Sequence, residues 1–203
     1  MTIPNILTIL RLLINPFFLL IYIYPDYFFV IPSTLPFVLL GLFFLSELSD
    51  LFDGYLARKF GQVTELGKIL DPMADSITRI CAFLTFTQAP VNLPVLFVFI
   101  FLYRDSVVST LRTICALKGY TLAARASGKI KAVIQAVAIF IILVTMIPES
   151  MGIVSEEMLQ YIASSVVGFA SLYTIYSGVE YIFVNREYIT RMIDSYSPEA
   201  YEQ

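Results

Sequence analysis

The 203-residue chain has no histidine, no tryptophan, only two cysteines and few charges: 13 Lys and Arg with 16 Asp and Glu, 14% of all residues. Each shortage excludes something. Without histidine, a His-based zinc or iron centre is ruled out. Cys81 and Cys115 have neither disulfide nor metal-ligand spacing; both lie in apolar stretches and are expected to pack as small hydrophobes. Soluble domains carry about 25% charged residues. Here the low charge accompanies 58% hydrophobic residues and a mean hydropathy of +0.80, which defines an integral membrane protein. No alternating strand pattern, low-complexity segment or usable internal repeat is present. The first residues lack a charged n-region and a small-residue cleavage site, so no removable signal peptide is expected.

What is there is a series of long apolar runs. Six spans, roughly 4–24, 33–57, 67–88, 94–117, 128–147 and 158–184, are each long enough for a bilayer. The expectation is an all-α membrane protein of six transmembrane helices joined by short loops, forming one domain over 1–203. Lys and Arg set its orientation. Arg58, Lys59 and Lys68 follow the second span; Lys118, Arg125, Lys129 and Lys131 follow the fourth; Arg186 and Arg191 lie in the tail. The loops after the first, third and fifth spans carry none. That alternation predicts both termini in the cytoplasm and a cytoplasm-facing active site in the cell membrane.

Within this apolar chain stands an acidic stretch, SDLFDGYLARKFGQVTELGKILDPMADS, starting at Ser49. Its spacing is D-x2-D-G-x2-A-R-x8-G-x3-D-x3-D. At about 100° per residue, Asp50, Asp53, Gly54, Ala57 and Arg58 fall within a helical arc of roughly 140°. On a second helix Gly67, Asp71 and Asp75 stack one turn apart. If these helices face each other, four hard oxygen donors converge, and they repel unless a cation offsets them. Mg2+ or Mn2+ suits such a set. Gly54 and Gly67 would let a bulky ligand approach the backbone, and Arg58 is placed to meet a phosphate.

Two other groups are polar inside apolar runs. Asn5, Thr8 and Arg11 share a face of the first span, read either as an interfacial helix start with a snorkelling Arg or as a ligand-contacting stripe. Tyr22, Tyr24 and Tyr27 fit an aromatic belt. In the fourth span Arg104 and Arg112 lie nearly on one face, followed by Arg125, Lys129 and Lys131. Cations inside an apolar stretch need partners, and the reading is a pocket for an anionic, phosphate-bearing ligand. Asp105 is expected to orient Arg104 rather than bind metal.

The Asp50–Asp75 pattern resembles the signature of the CDP-alcohol phosphatidyltransferase family at every fixed position, and six spans agree with that family's fold. The resemblance implies that Asp50, Asp53, Asp71 and Asp75 hold metal, two divalent ions of Mg2+ or Mn2+, with Asp75 also the general base. It implies that Gly54, Ala57, Arg58 and Gly67 hold the CDP moiety, with Asn5 and Thr8 expected beside them, and that the protein is a homodimer. R-D-S-V-V-S-T-L-R (Arg104–Arg112) and S-G-K-I-K-A-V-I-Q (Ser127–Gln135) are similar to the phosphatidylglycerophosphate synthase branch, which often has Glu at Asp105 and Thr at Ala132. The implied donor is CDP-diacylglycerol and the implied acceptor sn-glycerol 3-phosphate, its phosphate held by Arg104, Arg112, Arg125, Lys129 and Lys131. Membrane lipid is a partner and nucleic acid is not. Rival readings are another acceptor (serine or inositol phosphate), an archaeal-type lipid donor, a divalent-cation transporter, or a structural membrane protein that binds metal.

Overall fold

The computed structural model describes residues 3–59, 65–117 and 125–194, with side chains for all of these except 3–7, 51, 53–58, 65–70, 117 and 191–194. The described residues are helical apart from turns: α1 (Ile3–Ile23), a 3-10 turn (Pro25–Phe28), α2 (Leu35–Lys59), α3 (Glu65–Thr85), α4 (Val95–Leu117), α5 (Ala126–Ser150), α6 (Glu156–Val184) and a short α7 (Arg186–Asp194). The breaks follow local chemistry. Tyr24 precedes Pro25 and cannot hold helical geometry comfortably, so α1 ends there. Ser155 caps α6 by accepting the Met158 amide, and Glu156 and Glu157 in the first turn complement the helix dipole. Pro148 does not end α5, as its position in the sequence suggests; it lies in the last turn, where a missing amide costs one bond.

Five hydroxyls inside the apolar helices are satisfied within their own helix. Thr78, Thr85, Thr145, Ser171 and Thr174 each donate to the carbonyl four residues earlier. That is the economical solution where water is absent.

Helix α1 packs along both α2 and α3; α5 packs on α6 and α2; α4 packs on α6 and α3. The core they share contains Leu39, Phe83, Phe86, Phe101, Ile139, Ile142, Leu143 and Val167, all fully or nearly fully buried. Phe83 and Phe101 meet with ring centres 4.7 Å apart. The outer surface is also apolar: Phe17, Leu96, Phe99, Val133, Phe169 and Leu172 are all more than half exposed. An apolar exterior of this kind marks contact with lipid or protein rather than water. Among the described residues, α5 and α6 are each long and apolar enough to cross a membrane.

One expected belt residue is misplaced. Tyr24 and Tyr27 are exposed, but Tyr22 points inward, packs edge-on against Phe86 and donates its hydroxyl to the Gln88 carbonyl. Two residues of helix rotate a side chain by about 200°, and spacing in sequence does not reveal which side faces the bundle.

Candidate active site

Three helices build the acidic part. Helix α1 lies against α2 and α3, and its polar stripe is Thr8, Arg11 and Asn15. Thr8 Oγ1 donates to Asp71 Oδ1 at 3.0 Å. Arg11 Nη1 donates to Asp50 Oδ1 at 2.5 Å and to Asp75 Oδ1 at 2.7 Å. Asn15 Nδ2 donates to Thr78 Oγ1 at 2.9 Å. Arg11 is only 2% exposed, so it does not snorkel; its charge is directed at carboxylates. The acids of α2 and α3 therefore meet over α1, bridged by a guanidinium. Asp50 and Asp75 are brought together on Arg11, and Asp71 meets Thr8 one turn earlier on α1. The side chains of Asn5, Asp53, Gly54, Ala57, Arg58 and Gly67 lie outside the described residues, though all except Asn5, on α1, belong to α2 or α3.

Among the described residues, no group of three or more acids or cysteines is close enough to hold a metal ion. The chemistry of the donors nevertheless suits one. Asp50 and Asp75 offer oxygens to a single nitrogen of one cation, so those oxygens are no further apart than the sum of the two hydrogen-bond lengths. Carboxylates that share one cation can share another, and hard oxygen donors without nitrogen or sulfur select Mg2+ or Mn2+.

Asp75 also lines a cavity of about 550 Å³ between α3, α4 and α5. On its walls are Arg104, Arg112, Arg125, Lys129 and Lys131, so the fold brings together the five basic residues singled out from spacing. Asp105 does more than orient Arg104. It accepts from Arg104 Nη1 at 3.0 Å, from Lys131 Nζ at 2.6 and 2.9 Å, and from Ser76 Oγ at 2.7 Å. The other terminal nitrogen of the guanidinium, Arg104 Nη2, donates to Ser177 Oγ of α6 at 2.9 Å. Two of the five cations are thus tied to a carboxylate, and Ser76, the chain neighbour of Asp75, ties that carboxylate to α3. Arg112 Nε is buried without a partner.

The structure adds residues that spacing did not single out: Ser76, Arg79 and Tyr181 on the cavity wall, and Ser177 behind Arg104. Arg79 had a readable signal, since it stands one turn after Asp75, as Asp75 does after Asp71. Ser177 and Tyr181 had none; they come from α6, more than 70 residues from Arg104 in the chain, and only folding brings them near.

An apolar helical bundle with an acid cluster opening onto a cation-lined cavity is the architecture of a membrane protein that handles phosphate groups. The comparisons make the class specific. The model of the family described as CDP-alcohol phosphatidyltransferase matches residues 1–176, and the chain belongs to that family. Its members are enzymes that transfer phosphatidyl groups and are generally dependent on divalent metal. Three relatives carry the name CDP-diacylglycerol--glycerol-3-phosphate 3-phosphatidyltransferase. That of Wigglesworthia glossinidia brevipalpis is 33% identical, covering 85% of this chain and 91% of its own. That of Bacillus subtilis is 31% identical, covering 91% and 95%. That of Escherichia coli is 33% identical, covering 68% and 74%.

Proposed function

We propose that this protein transfers the phosphatidyl group of CDP-diacylglycerol to sn-glycerol 3-phosphate, releasing CMP. The supporting observation is that Asp75 belongs both to the acid cluster and to the wall of the cation-lined cavity. A base at that boundary stands between a nucleotide-diphosphate donor on one side and a phosphate-bearing acceptor on the other.

Asp50, Asp53, Asp71 and Asp75 would hold two divalent ions, Mg2+ or Mn2+, whose chemistry is to neutralise the pyrophosphate and the leaving CMP. Arg58 contacts the donor's phosphates, and Asn5, Thr8, Gly54, Ala57 and Gly67 shape the CDP subsite. Arg104, Arg112, Arg125, Lys129 and Lys131 hold the acceptor's phosphate and direct its free hydroxyl toward Asp75. Asp75 accepts the hydroxyl proton as the oxygen attacks the β-phosphorus and the bond to CMP breaks. Acyl chains remain in lipid beside the apolar outer face. In this reading residues 1–203 form one domain with six membrane spans, both termini and the active site face the cytoplasm, and two copies pair as a homodimer in the cell membrane.

The test is CMP release from CDP-diacylglycerol in detergent with Mn2+ or Mg2+, with and without each candidate acceptor. Release is expected with sn-glycerol 3-phosphate, not with serine or inositol phosphate, and is abolished by chelation of the divalent ion. Asp75→Asn should retain CDP binding while its turnover falls by about 10²-fold or more; wild-type CMP release by that variant would overturn the mechanism.

A further inference from the structure

Arg79 is the one cation on the cavity wall contributed by α3, the helix that carries Asp71 and Asp75. Its Nε is buried without a partner, and among the described residues no carboxylate pairs with its guanidinium. It lines this wall together with Asp75 of the acid cluster and with Arg104 and Lys131 of the basic side. It therefore stands at the seam between the acid cluster and the cavity. A cation inside an apolar bundle is costly unless an anion joins it. Arg104 and Lys131, by contrast, already spend hydrogen bonds on Asp105.

Spacing identifies the anion. Four residues of α-helix rise about 6 Å, so Asp75 and Arg79 lie on one face of α3 at about that separation along the axis. In a three-carbon phosphomonoester, the path from the free hydroxyl oxygen to phosphorus is five bonds, on the order of 6 Å when extended. A molecule of that length can span from Asp75 to Arg79 across the cavity wall they share.

We propose that Arg79 is a specificity-determining residue that binds the acceptor's phosphate from the α3 side, so that Asp75 and Arg79 together measure the distance between hydroxyl and phosphate. The inference rests on the proposed function and adds to it a residue and a length criterion.

The experiment compares wild type, Arg79→Gln and Arg79→Lys in detergent with CDP-diacylglycerol and Mn2+, varying sn-glycerol 3-phosphate and donor separately. Arg79→Gln is expected to raise the acceptor KM about tenfold or more while the donor KM stays within about twofold, because a bidentate contact made only to the acceptor is lost. Arg79→Lys keeps the charge without the fork and falls between. Inorganic phosphate should compete with the acceptor in wild type, its inhibition constant rising in Arg79→Gln by a similar factor. An unchanged acceptor KM in either folded variant, or an equal rise in both KM values, overturns the proposal; if Arg79→Gln does not accumulate as folded protein, the Lys variant decides alone. A wild-type enzyme that releases no CMP with sn-glycerol 3-phosphate overturns the proposed function itself, a result separable from either outcome for Arg79.

Discussion

At the scale of single residues, the acid cluster depends on Arg11. Carboxylates of α2 and α3 are held within reach of each other inside an apolar bundle, and one nearly fully buried guanidinium bridges them. Removing one partner of a buried ion pair leaves uncompensated charge, a loss of about 3–5 kcal/mol. Asp50 and Asp75 keep 34% and 29% of their side-chain surface, so the lower end, about 3 kcal/mol, is expected for Arg11→Met. Thermal unfolding in detergent measures it, and added Mg2+ should raise the melting temperature of Arg11→Met more than that of wild type, since an ion then supplies the missing charge. Equal shifts in both proteins would show that Arg11 and the ion do not answer the same carboxylates. Spacing alone placed Thr8 and Arg11 on one helical face, but a face has no address until its neighbours are known. The same ambiguity sent Tyr22 to a lipid interface in the sequence and into the core in the fold.

At the scale of elements, α1 and α6 do work that no motif announces. The signature lies on α2 and α3, yet α1 packs along both and supplies the residues that bridge them. Helix α6 carries no signature residue, yet its Ser177 holds Arg104, and Gly178 leaves room for that side chain. A Cβ at Gly178 would come within 3.0 Å of Arg104 Cγ, while the guanidinium is pinned by Asp105 and Ser177. Gly178→Ala therefore forces Arg104 to move or overpacks the α4–α6 contact, at a cost of about 1 kcal/mol. The expected readout is a several-fold higher acceptor KM with an unchanged donor KM; equal kinetics would mean that Arg104 shifts freely or does not touch the acceptor. The elements themselves were legible in advance, because apolar length, proline and charge mark where helices run and stop. Pro148 misled only at the boundary, since a proline in a last turn removes one hydrogen bond and the helix continues past it.

At the scale of the whole molecule, the asymmetry of Lys and Arg predicts that the second and fourth loops and the tail share one side of the membrane. A reporter fused after Gln203 should be active in the cytoplasm; activity on the opposite side would invert the proposed topology and turn the cavity away from its soluble acceptor. The sequence by itself determined the helical class, the apolar setting, the acid signature and the family to which it belongs, because each of these is written in local composition and in spacing along one or two helices. The tertiary structure alone decided which side each polar stripe faces, that Arg11 bridges the acids, that Asp105 gathers Arg104, Lys131 and Ser76, and that Arg79 and Tyr181 line the same cavity. Those relations join residues as far apart in the chain as Arg79 and Tyr181, and periodicity, which reports only the faces of a single helix, carries no information about them.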